Sequence, residues 1–269
     1  MSAAMNPDQI AEAARDLFRA EQERQQTGLL SLRYPGMTMD DAYAVQAALV
    51  EQKLAAGRKV IGWKIGLTSK AMQYALGIDI PDSGILFDDM DFANGSVVPA
   101  GRFIQPRIEA EIAFMTSAPL EGDVTREEVL AATDYVVPTI EILDTRILRA
   151  DPATGKARNV CDTISDNAAN GGIVLGPQHH PPDAFDLRWV GAIVSRDGVV
   201  EETGLGAGVL DDPVAGIVWL VRRLADYGQR IEAGQIVLAG SFIRPVECPA
   251  GTRIIADYGP FGQVEIGFD

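Results

Sequence analysis

From Lys59 onward the apolar residues of this chain come in short runs, and this pattern restricts the fold more than any other feature. The runs are separated by Gly, Pro and Asp, which is typical of a β-rich region. Asp197-Gly198 between two runs predicts a tight hairpin, because both residue types tolerate positive φ. We predict strands at 59–65, 84–87, 108–115, 135–143, 172–176, 189–195, 199–203, 235–240, 252–257 and 263–268.

The residues before Lys59 predict helices instead. After Pro7 a helical spacing of apolar residues continues until Gly28, and a second such pattern begins at Thr38 and ends at Gly57, a plausible C-cap. Shorter helices are predicted at Thr125–Thr133 and 213–226. We therefore predict an α+β protein, with an N-terminal helical part at 1–58 and a β-rich catalytic domain at 59–269.

The charge balance excludes several classes of partner. Lys and Arg number 23 against 38 Asp and Glu, a formal net charge of −15, which argues against binding to nucleic acid or an anionic membrane. Cys161 and Cys248 are too few and too far apart for a secreted disulfide scaffold. The first residues lack the pattern of a signal peptide, and no apolar run approaches the ~18 residues of a membrane span. We expect a soluble, cytoplasmic protein.

Two acids alternate with apolar residues in the segment 106–114. Period-two alternation places Glu109 and Glu111 on one strand face and Ile108, Ala110 and Ile112 on the other. A solvent-exposed strand face would explain this arrangement. Two neighbouring carboxylates also repel each other unless a hard cation lies between them, and oxygen ligands are what magnesium or manganese prefers.

Glu141 is a third candidate ligand, because it interrupts the apolar run 135–143. A buried carboxylate is costly without a partner, and a cation beside Glu141 would remove that cost. An arginine partner, Arg107 or Arg146, is the alternative explanation.

Lys64 is a single cationic residue in an apolar run between Gly62 and Gly66, so it too would be costly to bury without a partner. It is either a surface lysine whose stem packs on apolar neighbours or a buried proton carrier. The flanking glycines allow a ligand to approach the backbone, and Leu67 in this segment is a candidate substrate-binding residue. Asp82, in a Pro-Asp-Ser-Gly segment, looks locally like a turn residue.

Arg244 lies just after the predicted strand 235–240, between Phe242 and Pro245. An arginine held among apolar neighbours presents a rigid fork that matches a carboxylate. An ion pair with a surface acid is the structural alternative. We predict that Arg244 binds a carboxylate group of the substrate.

Short motifs at five places, in order, make the chain resemble a known family. The chain resembles the hydratase/decarboxylase family of meta-cleavage pathways for aromatic compounds, within the fumarylacetoacetate hydrolase superfamily. The likeness begins near Tyr34-Pro35-Gly36-Met37-Thr38 and extends almost to the C-terminus. The motifs are Gly62-Trp63-Lys64-Ile65-Gly66-Leu67-Thr68-Ser69-Lys70, Pro81-Asp82-Ser83-Gly84, Pro106-Arg107-Ile108-Glu109-Ala110-Glu111, Ser165-Asp166-Asn167-Ala168-Ala169-Asn170 and Gly240-Ser241-Phe242-Ile243-Arg244-Pro245.

The resemblance implies a β-sandwich or roll core, pentamer-based homo-oligomers and a divalent cation, normally magnesium, with manganese as a substitute. The ligands would be Glu109, Glu111 and Glu141, and Lys64 and Asp82 would be catalytic. The implied reaction is addition of water to a 2-oxo or 2-hydroxy dienoate, a carbon–oxygen lyase activity. Some relatives acting on monocarboxylates have a serine where this chain has Ala169, which argues against a hydroxyl-based proton relay there.

Several alternatives stay open. A 2-oxo-3-enedioate decarboxylase uses the same metal and electron sink, although Arg244 favours hydration because decarboxylases typically lack that arginine. A 2-oxopent-4-enoate hydratase is a further alternative. A non-catalytic protein in which the glutamates only stiffen the sheet would not need Lys64, Asp82 and Arg244 together. Acylpyruvate hydrolysis needs a water-activating base that the sequence does not reveal.

Overall fold

A computed structural model describes residues 5–70, 73–74, 78 and 80–269, and it shows the predicted α+β architecture. The helices in this part of the chain are α1 (Pro7–Glu23), α2 (Leu30–Arg33), α3 (Met39–Ala55), α4 (Arg126–Ala131), α5 (Val160–Ser165) and α6 (Pro213–Asp226). The strands are β1 (Val60–Gly66), β2 (Asp82–Phe87), β3 (Asp91–Phe92), β4 (Val97–Val98), β5 (Arg107–Thr116), β6 (Thr133–Leu143), β7 (Asn170–Leu175), β8 (Gly191–Arg196), β9 (Val199–Leu205), β10 (Ile236–Leu238), β11 (Val246–Glu247), β12 (Arg253–Asp257) and β13 (Gln263–Phe268). Among the described residues no helix is both long enough and apolar enough to cross a membrane.

Helix α1 begins at a capping box and ends before the predicted stop. The Asn6 side chain accepts a hydrogen bond from the Gln9 backbone, and the Gln9 side chain accepts one from the Asn6 backbone. Arg24 adopts a left-handed conformation (φ 56°), and its N–H bonds to the Ala20 carbonyl. This cap ends the helix at Glu23, so the expectation that it continues to Gly28 is wrong.

Helices α1 and α3 pack together through one apolar cluster that also reaches the β-rich part of the chain. Ala13, Ala14 and Leu17 of α1 contact Val45 and Leu49 of α3 in this cluster, and Ile147 belongs to it. The N-terminal helices are therefore packed onto the segment after β6. The division at residue 58 stays a prediction.

Two sheets form the β-rich part. The larger has the order β2-β1-β10-β5-β6-β7-β3, with β11 also paired to β5, and the smaller has the order β4-β13-β12-β8-β9. Their apolar faces meet in one core, in which Ile108 and Ile112 of β5 lie with Val194 of β8 and Val264 of β13. Helix α6 joins the same core through one apolar face. Strands β5 and β6 pair from Arg107 to Thr116 near the middle of the larger sheet.

The hairpin prediction is confirmed, but several short elements escaped the sequence analysis. Asp197 (φ 52°) and Gly198 (φ 82°) form the two-residue turn between β8 and β9. Strands β3, β4 and β11 have two residues each, too short to show a period. Helix α5 is also short, yet its Asn159–Asp162 capping box is a signal that could have found it.

Candidate active site

The structure brings the three predicted glutamates together. Glu109 of β5 faces Glu141 of β6 directly in the strand register, and Glu111 lies two residues further along β5. One carboxylate oxygen of each glutamate lies within 4.8 Å of the others. Glu111 and Glu141 are buried, whereas Glu109 is partly exposed. The face of β5 that bears the acids is therefore interior, and the alternative of a solvent-exposed face is wrong.

Several carboxylate oxygens of this cluster accept no hydrogen bond from the described protein, which suits a cation. Among the described residues, Glu111 Oε1 and both carboxylate oxygens of Glu141 are buried without a hydrogen bond, while Glu111 Oε2 accepts one from the Gly240 amide at 2.8 Å. Burial and the Glu141 carboxylate raise the pKa of Glu109 to about 8 and that of Glu111 well above its usual value. Three crowded carboxylates with oxygens that accept no hydrogen bond could hold a hard divalent cation.

Tyr258 connects β5 and β6, the two strands that carry the three glutamates. This role was not predicted from the sequence. Its hydroxyl donates to the Thr139 carbonyl of β6 at 2.6 Å and accepts from the Glu111 amide of β5 at 3.1 Å. These bonds hold the backbone at Glu111 against the neighbouring strand. Tyr258 follows a strand in the sequence and resembles any core aromatic residue, so no local signal distinguishes it.

Lys64 is buried at the same site, with 3% of the residue exposed, which excludes the surface-lysine interpretation. Its Nζ atom lies 3.3 Å from Glu141 Oε1, an ion-pair contact, and donates a hydrogen bond to the Ala168 carbonyl at 3.1 Å. Burial alone would lower the pKa of Lys64, but Glu141 and Asp82 outweigh it and raise this pKa, so the side chain is an ammonium. The cationic neighbour of Glu141 is therefore a lysine, whereas Arg146 pairs with Asp166.

Asp82 begins strand β2 opposite Gly66 and is not a turn residue. It is buried, its Oδ1 atom has no hydrogen bond among the described residues, and burial raises its pKa although Lys64 opposes the shift. A Cβ atom placed on Gly66 would lie 2.2 Å from Asp82 Oδ1 and 3.1 Å from Lys64 Nζ. Asp82 and Lys64 thus converge on the space that the missing side chain of Gly66 leaves open.

The carbonyl that holds Lys64 belongs to an unusual turn. Asn167, Ala168 and Ala169 all have positive φ, between 50° and 60°, which is strained for residues other than glycine. The Asn167 side chain stabilises the turn by bonding both the amide and the carbonyl of Ile85 in β2, at 2.8 and 2.9 Å. The sequence motif around Asn167 was recognisable, but this positioning role was not.

Lys64, Asp82, Glu109 and Ala168 line a cavity of about 450 Å³, and the two predicted substrate-binding residues line it too. Leu67 follows β1 with positive φ (56°), and its carbonyl accepts a hydrogen bond from Gln73. The Arg244 side chain is 82% exposed and pairs with Glu202 at 2.6 Å. This ion pair is the structural alternative raised from the sequence, and a substrate role for Arg244 stays a prediction.

Comparisons with known proteins agree with the fold and the site. No family model matches the chain. It is 50% identical to a 2-oxo-hept-4-ene-1,7-dioate hydratase of Escherichia coli over 256 residues, which cover 95% of this chain and 96% of that protein. It is 39% identical to a 2-keto-4-pentenoate hydratase of Paraburkholderia xenovorans, covering 98% and 97%. A solved 4-oxalocrotonate decarboxylase of Pseudomonas putida G7, complexed with magnesium and adipate, superposes with a TM-score of 0.92 at 33% identity, covering 98% and 99%.

A solved fumarylpyruvate hydrolase of Pseudomonas aeruginosa shares the fold, with a TM-score of 0.56 at 14% identity, covering 77% of this chain and 88% of that one. The chain belongs to the hydratase/decarboxylase family of meta-cleavage catabolism, whose relatives are named as hydratases and decarboxylases. The resemblance found in the sequence motifs and the predicted fold class are therefore confirmed.

Proposed function

We propose that this protein is a metal-dependent hydratase that converts 2-oxohept-4-ene-1,7-dioate to 4-hydroxy-2-oxoheptane-1,7-dioate in the catabolism of aromatic compounds. The observation that carries the proposal is the meeting of an acidic triad with Lys64 and Asp82 beside one cavity, which Glu109, Lys64 and Asp82 line. The 50% identity to a hydratase named for this substrate supports the choice within the family.

Glu109, Glu111 and Glu141 are the proposed ligands of the cation, with magnesium preferred and manganese as a substitute. Their oxygens are hard donors that fit either ion, and those of Glu141 and Glu111 Oε1 are buried without a hydrogen bond from the described residues. When bound, the cation would supply Lewis-acid stabilisation of negative charge on the 2-oxo oxygen of the substrate.

The reaction needs two proton movements and one addition of water. A proton shift from C3 to C5, which passes through the 2-hydroxy-2,4-dienoate, moves the C4=C5 double bond of 2-oxohept-4-ene-1,7-dioate to C3=C4, where it is conjugated with the 2-oxo group. The water oxygen then bonds to C4, and a water proton ends on C3. Negative charge appears on the 2-oxygen during the addition and disappears when C3 is protonated.

Lys64 and Asp82 are the proposed carriers of these protons. The ammonium of Lys64 is a donor held in place by Glu141 and the Ala168 carbonyl, and the free oxygen of Asp82 is an acceptor beside it. Burial raises the pKa of Asp82 toward neutral pH. A group exchanges protons most effectively when its pKa lies near the working pH. Such groups contribute about 10² to 10⁴-fold to a rate.

Leu67 and Arg244 are proposed as substrate-binding residues at the cavity wall. Leu67 has a left-handed backbone conformation and lines the cavity. Arg244 would need to leave Glu202 in order to receive a carboxylate.

Decarboxylation of a 2-oxo-3-enedioate is the second candidate, and the close superposition on a decarboxylase supports it. The same site could equally serve a shorter monocarboxylate, as the name of the Paraburkholderia xenovorans relative indicates. The deciding experiment incubates the purified protein and Mg²⁺ separately with 2-hydroxyhepta-2,4-dienedioate and with 2-oxohex-3-enedioate and identifies the products. A 4-hydroxy-2-oxo dioate from the first supports hydration, whereas release of CO₂ from the second without hydration of the first would overturn it in favour of decarboxylation.

We also propose a cytoplasmic, pentamer-based homo-oligomer. Cys161 and Cys248 are buried free thiols, as expected in a reducing compartment. Light scattering on the purified protein tests the oligomer, and a monomeric mass would contradict it.

A further inference from the structure

Two arginine side chains on the cavity wall have no hydrogen-bond or ion-pair partner among the described residues. Arg107 and Arg158 both line the cavity, and both are only partly exposed. Across the part of the chain that the structure describes, neither guanidinium makes a hydrogen bond or an ion pair. In a protein of net charge −15, two unpaired guanidinium groups in one cavity point to an anionic ligand.

The strand geometry places Arg107 in line with the proposed metal ligands. Arg107 opens strand β5 two residues before Glu109, so its side chain leaves the same face of the strand as Glu109 and Glu111. Residues two apart on a strand are separated by ~7 Å, comparable to the extended length of the carbon chain of a seven-carbon dioate. Arg158 reaches the same wall from the loop immediately before Asn159, the N-cap residue of α5.

The acids around this arginine pair are already engaged elsewhere. Each of the four nearby carboxylates outside the metal site has its own donors: Asp144 bonds to the Ile104 and Gln105 amides, Asp162 to Ser31, Asp166 to Arg146, and Glu247 to Arg149. Burial, together with the positive charge of neighbouring arginines, lowers the pKa of both Arg107 and Arg158. The two guanidinium groups therefore keep free donors that an incoming carboxylate could accept from.

Arg244 differs from this pair in both exposure and charge balance. It is 82% exposed, and Glu202, which also lines the cavity, neutralises it at 2.6 Å. A substrate carboxylate placed there would have to displace Glu202 or lie beside its negative charge. The unpaired arginines offer a carboxylate the same fork geometry without that competition.

We propose that Arg158, together with Arg107, receives the distal carboxylate of the substrate and makes the enzyme selective for dicarboxylates. This inference rests on the proposed function, because it assumes that the proximal carboxylate and 2-oxo group lie at the acidic triad. Arg158 is the specificity residue to test, since Arg107 is too close to the metal ligands for a clean substitution.

The test compares two saturated probes that differ only in the distal carboxylate, 2-oxoheptanedioate and 2-oxoheptanoate. Their dissociation constants are measured calorimetrically with Mg²⁺ for the wild-type protein, Arg158→Met and Arg244→Met. Arg222→Met is the control, because Arg222 pairs with Asp123 on an exposed surface away from the cavity. Arg158→Gln replaces the methionine variant if that protein does not fold, as judged by circular dichroism.

The wild-type protein and Arg222→Met should prefer the dioate. Arg158→Met should reduce that preference ten- to a hundredfold, and Arg244→Met should reduce it less; a larger effect of Arg244→Met would assign the distal carboxylate to Arg244 and overturn the inference. The kcat/KM ratio for 2-hydroxyhepta-2,4-dienedioate over 2-hydroxypenta-2,4-dienoate should fall by the same factor. If Arg158→Met keeps the wild-type preference, the inference is overturned even though the protein hydrates its substrate. If the proposed function is wrong, the wild-type protein will form no hydrated product from either dienoate, and this result distinguishes that failure from a failure of the inference.

Discussion

Lys64 Nζ lies 3.3 Å from Glu141 Oε1, so the proposed proton carrier and a proposed metal ligand form one buried ion pair. Only 4% of the Lys64 side chain and none of the Glu141 side chain is exposed. Removing either partner of such a pair leaves the other charge desolvated. Events at the cation and at the proton carrier are therefore electrostatically coupled in this site.

Removal of the cation should abolish turnover, and Mg²⁺ or Mn²⁺ should restore it. Glu141→Gln should weaken Mg²⁺ binding at least tenfold, because it replaces a charged ligand oxygen in a site with buried, unpartnered oxygens. Titration calorimetry measures the affinity, and Glu127→Gln on the exposed surface of α4 is the matched control. Full activity after exhaustive chelation would rule out this role for the triad.

Substitution of Lys64 should impair chemistry more than metal binding. We expect Lys64→Met to lower kcat by about 10² to 10⁴-fold, the range for a lost proton carrier. Solvent-deuterium exchange at C3 of the substrate shows which proton movement has failed. Lys156→Met, at an exposed position, should retain the wild-type rate. A Lys64 variant with normal kcat would assign proton transfer to another residue.

Gly66 should not tolerate even one methyl group. The added Cβ of Gly66→Ala would lie 2.2 Å from Asp82 Oδ1, so Asp82 must move away from the substrate space. We expect kcat to fall at least tenfold, with a stability loss of about 1 to 3 kcal/mol from overpacking. Gly28→Ala is the control, because nothing lies within 4 Å of its added Cβ. Equal kinetics for the two variants would contradict the proposed role of Asp82.

The buried pair of Arg146 and Asp166 should be a major contributor to stability. Arg146 donates to the Asp166 side chain and to three backbone carbonyls, those of Asp144, Asp166 and Asn170. We expect Asp166→Asn to cost about 3 to 5 kcal/mol of unfolding free energy, because it leaves a buried guanidinium short of a counter-charge.

Urea denaturation of the Asp166 variant beside Asp123→Asn tests this expectation. Asp123 pairs with Arg222 on the exposed surface, where such a pair is worth no more than about 1 kcal/mol. Similar losses in the two variants would show that burial does not strengthen the Asp166 pair.

The sequence predicted the strands and the acidic site better than the contacts between them. Alternation along β5 placed Glu109 and Glu111 on one face, because a strand has a fixed period that a single sequence reveals. The pairing of Glu141 with Lys64 depends on strand register in a sheet whose order, β1-β10-β5-β6, is not the chain order. Arg158 lies in an irregular loop, and no periodic pattern marks which way its side chain turns. Long-range pairing and loop conformation are set by the whole fold, so one segment cannot disclose them.

The ladder between β5 and β6 has a consequence for how the site responds to its cation. Both strands are paired on both sides, β5 with β6, β10 and β11, and β6 with β5 and β7. Amide hydrogens in such interior strands exchange with solvent only through large-scale opening, so those of Glu109 and Glu141 should be among the slowest in the protein. The carboxylates are thus assembled when the chain folds, and cation uptake should leave this exchange pattern almost unchanged, unlike that of domains that fold only around their metal.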